Sequence, residues 1–182
     1  MTAASVEGRE RPRLFCALRL PDPVLDELER WARAELAERV VPPANLHITV
    51  AFLGHRPIGE LPGILDATCA AAAAAESPIR LAPLRYRETR SVGMLVLADE
   101  DGRAERFAGE LFGRLEALGV YVRERREWLP HITVVRFRRP PRLRPSLPPL
   151  GTFGPSDAAV YHSVLRPTGA QYDVIESFAL GG

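Results

Sequence analysis

The tetrapeptide His-Ile-Thr-Val occurs twice, as His47 to Val50 and as His131 to Val134, and each copy closes the same local order of elements. Ahead of the first, the apolar run Arg13 to Pro21 predicts a buried strand. Val24, Leu25, Leu28, Trp31, Ala32 and Leu36 then recur at helical spacing, predicting an amphipathic helix over 23–39 with Asp22 as its N-cap. Pro42 and Pro43 stop it before the strand Leu46 to Leu53. Ahead of the second copy, Val92 to Ala98 predicts a strand, Ala104 to Leu118 a helix ended by Gly119, and Val120 to Arg123 a short strand. The strand His131 to Phe137 follows. A strand–helix–strand unit written twice constrains the chain to a duplicated α+β architecture.

The remaining segments fit around that pair. Leu61 to Glu76 reads as a helix, and Ile79 to Arg87 as an edge strand, because Pro83 cannot complete a ladder on both sides. The proline-rich stretch 138–155 reads as an exposed loop, and strands near Ala158 to Leu165 and Tyr172 to Leu180 close the chain. One bilobal domain over 1–182 is expected, with 1–12 as a flexible tail.

Alternate side chains of a strand share a face, so His47 and Thr49 point one way while Ile48 and Val50 point into the core. The same holds for His131 and Thr133 against Ile132 and Val134. Two imidazoles across a groove suit paired acid–base chemistry at phosphorus, where attacking and leaving oxygens lie in line. The threonine hydroxyls are then candidates to hydrogen-bond the non-bridging oxygens, and Arg136 is a candidate to hold the phosphate. Strict alternation puts Arg136 on the face opposite His131, so its place in the site requires a bulge, a twist or the strand end.

Composition narrows the chemistry. All 24 basic residues are arginine, which excludes a lysine Schiff base, a nucleotidyl-lysine and a Walker-type lysine. Neither histidine motif has a carboxylate at ligand-like spacing, and the two cysteines, Cys16 and Cys69, make neither a metal motif nor a disulfide framework. No metal and no cofactor are expected. Without an apolar leader or a span-length run, a cytoplasmic protein without membrane contact is expected. Arginines 136, 138, 139, 142 and 144 form either an RNA-backbone patch or a solvated basic loop, and Phe52 either stacks on a base or belongs to the core.

On the stretches RLFCALRLP, VPPANLHITVAFLG, WLPHITVVRFRR and SVLRPTGAQYDVIESFAL, the chain resembles the RNA 2′,3′-cyclic phosphodiesterases, historically called 2′-5′ RNA ligases, of the two-histidine phosphoesterase superfamily. The resemblance implies two pseudo-symmetric lobes, each a mainly antiparallel sheet with helices outside, around an active-site groove. It also implies metal-independent opening of a terminal 2′,3′-cyclic phosphate to a 2′-phosphate. Separately, no protein partner is inferred from the sequence and a monomer is expected. His47 would give a proton to the departing 3′-oxygen, His131 would activate water, and Thr49, Thr133 and Arg136 would bind the phosphate. Joining of RNA ends through a 2′,5′ bond is the reverse type of reaction. Many relatives carry an Arg-rich segment ending in Trp, whereas ETRSVGMLVLADEDG offers Arg90 and no Trp. Two alternatives stand beside this reading. One is a phosphodiesterase of the same superfamily acting on a small cyclic nucleotide or ADP-ribose cyclic phosphate, and the other a non-catalytic RNA-binding module.

Overall fold

In a computed structural model describing residues 8, 10–36, 39–166 and 169–181, seven antiparallel strands form one sheet. The elements run β1 (Arg13–Leu18), α1 (Asp22–Glu35), β2 (Ile48–His55), α2 (Leu61–Ala73), β3 (Leu81–Glu88), β4 (Val92–Asp99), α3 (Arg103–Ala117), β5 (His131–Arg136), β6 (Ala158–Arg166) and β7 (Gly169–Phe178). Across the sheet the order is β3-β4-β5-β2-β1-β6-β7. The two expected lobes are therefore the two halves of one sheet, which meet where β2 and β5 lie side by side. Each motif strand has its own first strand on its outer flank, β1 beside β2 and β4 beside β5.

The seam between the halves is narrow. The β2–β5 ladder has a single register pair, Ile48 with Ile132, both fully buried. Beyond it β5 takes another partner: Val40 bridges Val135, and the Val41 N–H donates to the Val134 carbonyl at 2.9 Å. This pairing explains why α1 stops at Glu35, short of the helix over 23–39 that periodicity predicts. Residues 39–41 gain strand hydrogen bonds that a further helical turn would forgo; residues 37–38 lie outside the described residues. On the other side of the seam, the Trp128 indole N–H donates to the Thr49 carbonyl at 3.0 Å, stapling the approach to β5 onto β2.

The helices form where the sequence places caps and apolar stripes. α1 begins after Pro21, with Asp22 in its first turn rather than at the N-cap, and buries Val24, Leu28, Trp31 and Ala32. α3 is started by carboxylates: Asp101 accepts the N–H of Arg103, and Asp99 that of Glu105. It ends at Gly119, whose φ of +70° is the left-handed conformation glycine adopts without penalty. The buried faces of all three helices join one apolar core with Leu14, Cys16 and Leu18 of β1. The alternate β1 residues Phe15 and Ala17 belong to a separate small cluster with Ala159 and Tyr161, on the groove face.

Pro83 lies in β3 at the sheet edge, as a residue without an N–H must. The short strand expected over Val120 to Arg123 does not form. Tyr121 stacks on Phe112 at 5.2 Å and the Arg123 guanidinium covers the same ring at 5.3 Å, so this segment packs against α3 instead of a sheet. Of the expected tail, residues 1–7 and 9 lie outside the described residues, while Glu10 and Pro12 offer their carbonyls to the N–H groups of Ile58 and Arg56. The proline-rich segment is tethered: the Glu88 carboxylate accepts the N–H groups of Arg142 and Leu143, and Trp31 donates to the Ser146 carbonyl. Among the described residues no helix is long and apolar enough to cross a membrane.

Candidate active site

Antiparallel pairing about Ile48 and Ile132 sets His47 across from Thr133 and Thr49 across from His131. All four are half-buried while the isoleucines between them are fully buried, so they share one face. The four motif side chains thus form a square around the local two-fold of the seam.

Both imidazoles are held alike. His47 Nδ1 lies 2.8 Å from the Asn45 carbonyl, and His131 Nδ1 lies 2.7 Å from the Leu129 carbonyl, in each case the residue two before. A carbonyl oxygen only accepts, so each Nδ1 carries a hydrogen and each Nε2 is left for chemistry. His47 Nε2 lies 3.0 Å from Thr49 Oγ1, which donates to it when the ring is neutral. Asn45 is itself anchored by its side-chain amide to the Ala170 carbonyl at 2.9 Å, which ties the turn before His47 to β7.

The surroundings of His47 are aromatic. Phe15 and Tyr161 stack on each other at 4.8 Å, with the imidazole 4.9 Å and 5.6 Å from their centroids, and Tyr172 meets it edge-on at 5.3 Å. Part of the ring faces the groove, yet these neighbours strip it of most of its water. Burial therefore pushes the His47 pKa from its ordinary 6.5 down to about 4; the hydrogen bond to Asn45 opposes this, and the positive fields of Arg136 and His131 add to it. At neutral pH in the free protein His47 is a neutral imidazole.

Arg136 reaches the His131 face through a bulge. In the β4–β5 ladder Gly93 pairs with Val135 and Met94 with Thr133, which leaves Val134 as the extra residue. Val134 and Val135 are consecutively buried, the alternation shifts by one, and Arg136 emerges beside Thr133. β2 does the same. Cys16 pairs with Ala51 and Ala17 with Thr49, so Val50 is the extra residue, Val50 and Ala51 are both buried, and Phe52 emerges into the groove. Phe52 is 49% exposed and lines the cavity, so it does not belong to the core.

A cavity of about 460 Å³ occupies this face, lined among others by Arg13, His47, Thr49, Phe52, Thr133 and Arg136. His131 does not line it, standing beyond Thr49 across the seam, though close enough for its charge to act on His47. None of the described lining residues is acidic. Among the described residues no three His, Cys, Asp or Glu side chains come together as a metal site. His55 ends β2 with Nδ1 3.1 Å from the Arg11 carbonyl, and His162 is buried in β6.

Sequence reasoning missed Phe15, Tyr161, Tyr172, Asn45 and Arg13 as site residues. Phe15 and Tyr161 alternate with core residues on their strands, which was the available signal; Tyr172 is flanked by the polar Gln171 and Asp173 and gives none. Nothing local says that three distant strands bring them to one histidine. Tyr172 also accepts a hydrogen bond from the Arg136 guanidinium at 3.2 Å.

Comparison with known proteins agrees with this geometry. Residues 18–91 match the model of the LigT-like phosphoesterases. An RNA 2′,3′-cyclic phosphodiesterase of Thermus thermophilus is 35% identical, the match covering 93% of this chain and 91% of that protein. One of Methanocaldococcus jannaschii is 25% identical over 91% of this chain and 99% of its own. A solved Thermus thermophilus structure, 32% identical, superposes with a TM-score of 0.77 over 93% of this chain and 98% of that one. The E. coli LigT structure, 21% identical, shares the fold with a TM-score of 0.78 over 95% and 99% of the two chains. A seam that sets two His-x-Thr strands side by side, together with a 35% identical relative along nearly the whole length, shows that this chain belongs to the LigT-like, two-histidine RNA 2′,3′-cyclic phosphodiesterase family.

Proposed function

We propose that this protein hydrolyses a terminal RNA 2′,3′-cyclic phosphate to a 2′-phosphate by acid–base catalysis that needs no metal. The observation that carries the reading is the matched locking of two imidazoles, each with Nδ1 on a backbone carbonyl and Nε2 turned away from it, on paired strands at the seam. The names of the relatives support the substrate class.

His131 Nε2 takes a proton from water as the water oxygen bonds to phosphorus. The bond from phosphorus to the 3′-oxygen breaks, and His47 Nε2 gives that oxygen a proton. Thr49, Thr133 and Arg136 hold the non-bridging oxygens. Because His47 is neutral in the free protein, its donor form arises on binding: the phosphate's negative charge offsets the field of Arg136 and raises the pKa. Protonation of Nε2 also frees the Thr49 hydroxyl from donating to the ring, so that its hydrogen can face the phosphate. A 5′-hydroxyl in place of water would join RNA ends through a 2′,5′ bond.

The test is incubation with an RNA ending in a 2′,3′-cyclic phosphate, with and without chelator, scoring product regiochemistry. A 2′-phosphate formed at equal rates in both conditions is expected. A 3′-phosphate would overturn the assigned leaving group, and wild-type rates in both His47→Ala and His131→Ala would overturn the mechanism.

A further inference from the structure

Two guanidinium groups line the cavity, and one cyclic phosphate carries a single negative charge. Arg136 sits beside the His-x-Thr square, with the Tyr172 hydroxyl as its partner. Arg13, at the start of β1, lies with its guanidinium over the Phe52 ring, 4.6 Å from the centroid, and donates to Ser163 Oγ at 3.2 Å. Neither arginine forms an ion pair among the described residues, whereas eleven other pairs hold arginines to carboxylates elsewhere. Both therefore keep their charge and most of their N–H donors for a ligand, in a cavity whose described walls hold no acid.

The sheet register places the Phe52 shelf relative to Thr49. Thr49 pairs with Ala17, and Phe52 pairs with Phe15, so the Phe52 shelf lies one row of side chains from Thr49, about 7 Å along β1. The Phe52 ring lies under the guanidinium and Ser163 accepts from Nη1, which leaves Nε and Nη2 without a hydrogen bond among the described residues.

Resting on the function proposed above, we propose that Arg13, Phe52 and Ser163 form a second anion subsite, which takes the phosphate on the 5′-oxygen of the terminal nucleoside. Its ligand is the phosphodiester that continues the RNA chain or, with the same chemistry, a 5′-phosphate on a single nucleotide. The subsite makes Arg13 a specificity-determining residue that favours substrates phosphorylated at both ends of the ribose.

Kinetics on adenosine 2′,3′-cyclic phosphate, its 5′-phosphorylated form and a dinucleotide ending in a 2′,3′-cyclic phosphate test this. Wild-type kcat/KM is expected to be at least about fivefold higher for both 5′-phosphorylated substrates, Arg13→Gln to bring that ratio near one, and Arg13→Lys to retain part of it. Equal wild-type values, or a ratio that survives Arg13→Gln, overturn the subsite while leaving the hydrolase reading intact. A preference for the dinucleotide alone would assign the contact to the added nucleoside and overturn the anion assignment. Absence of turnover on all three overturns the hydrolase reading instead. Calorimetric binding of adenosine 2′-phosphate against adenosine 2′,5′-bisphosphate then decides the subsite alone, with an Arg13-dependent preference for the bisphosphate supporting it and equal affinities overturning it.

Discussion

Phe52 and Arg136 occupy the same position in the two halves of the sheet: each stands five places after its histidine, behind a one-residue bulge at Val50 or Val134. The bulges rotate both side chains into the groove, one as an aromatic face and the other as a cation. The duplicated backbone device is retained while the chemistry it presents differs between the halves.

Replacing Arg136 by Gln removes a positive charge that acts on His47, so the His47 pKa is expected to rise from about 4. NMR titration of the imidazole checks it. An unmoved midpoint would mean that Arg136 does not face His47 in solution.

The same depression links folding to acid. The unfolded chain binds a proton on His47 near pH 6.5, and the folded chain only near 4. Between these values the unfolded state holds more protons, so stability falls as the pH is lowered through that window, by up to ~3 kcal/mol. His47→Gln should flatten this part of the stability profile, measured by urea unfolding from pH 7 to pH 4. A profile as steep as that of the wild type would place the acid sensitivity elsewhere.

Tyr172→Phe keeps the ring against His47 and deletes the acceptor for Arg136. The expected outcome is a rise in KM of roughly fivefold for the cyclic phosphate, about 1 kcal/mol, with thermal stability unchanged. A lower kcat at constant KM would indicate that the hydroxyl serves the reaction rather than the placement of Arg136.

Gly93 backs the β5 bulge so closely that a Cβ there would lie 2.1 Å from Tyr86 Oη and 2.6 Å from Val135 Cγ1. Gly93→Ala is expected to cost ~1–3 kcal/mol of stability and to weaken phosphate binding, because Val135 must shift and Arg136 follows it. Denaturation and product-analogue binding measured on one preparation separate the two effects.

How much of this was legible in the sequence depends on the range of the interaction involved. The His-x-Thr pairs, the strand–helix–strand units and the edge placement of β3 follow from periodicity and proline chemistry, which are local. Arg136 marks the boundary, since alternation alone sends it to the wrong face. The bulge that corrects it depends on register with β4, where Gly93 lets Val135 approach. The aromatic enclosure of His47 is less visible still, because Phe15, Tyr161 and Tyr172 come from three strands that only the sheet order brings together. Likewise α1 is shorter than its amphipathic pattern because residues 39–41 are recruited to β5.

The paired carbonyl locks on Nδ1 have a consequence for successive turnovers. With Asn45 and Leu129 each holding one nitrogen, neither ring can pass a proton through itself from one side to the other without breaking its tether. In the proposed reaction His131 ends a cycle charged and His47 ends it neutral, the reverse of how the cycle began. The site must therefore be reset, by proton exchange with solvent or through the departing 2′-phosphate, before it can fire again. Product that lingers in the groove would hold it in its spent state, and proton return joins product release as a step able to set the pace.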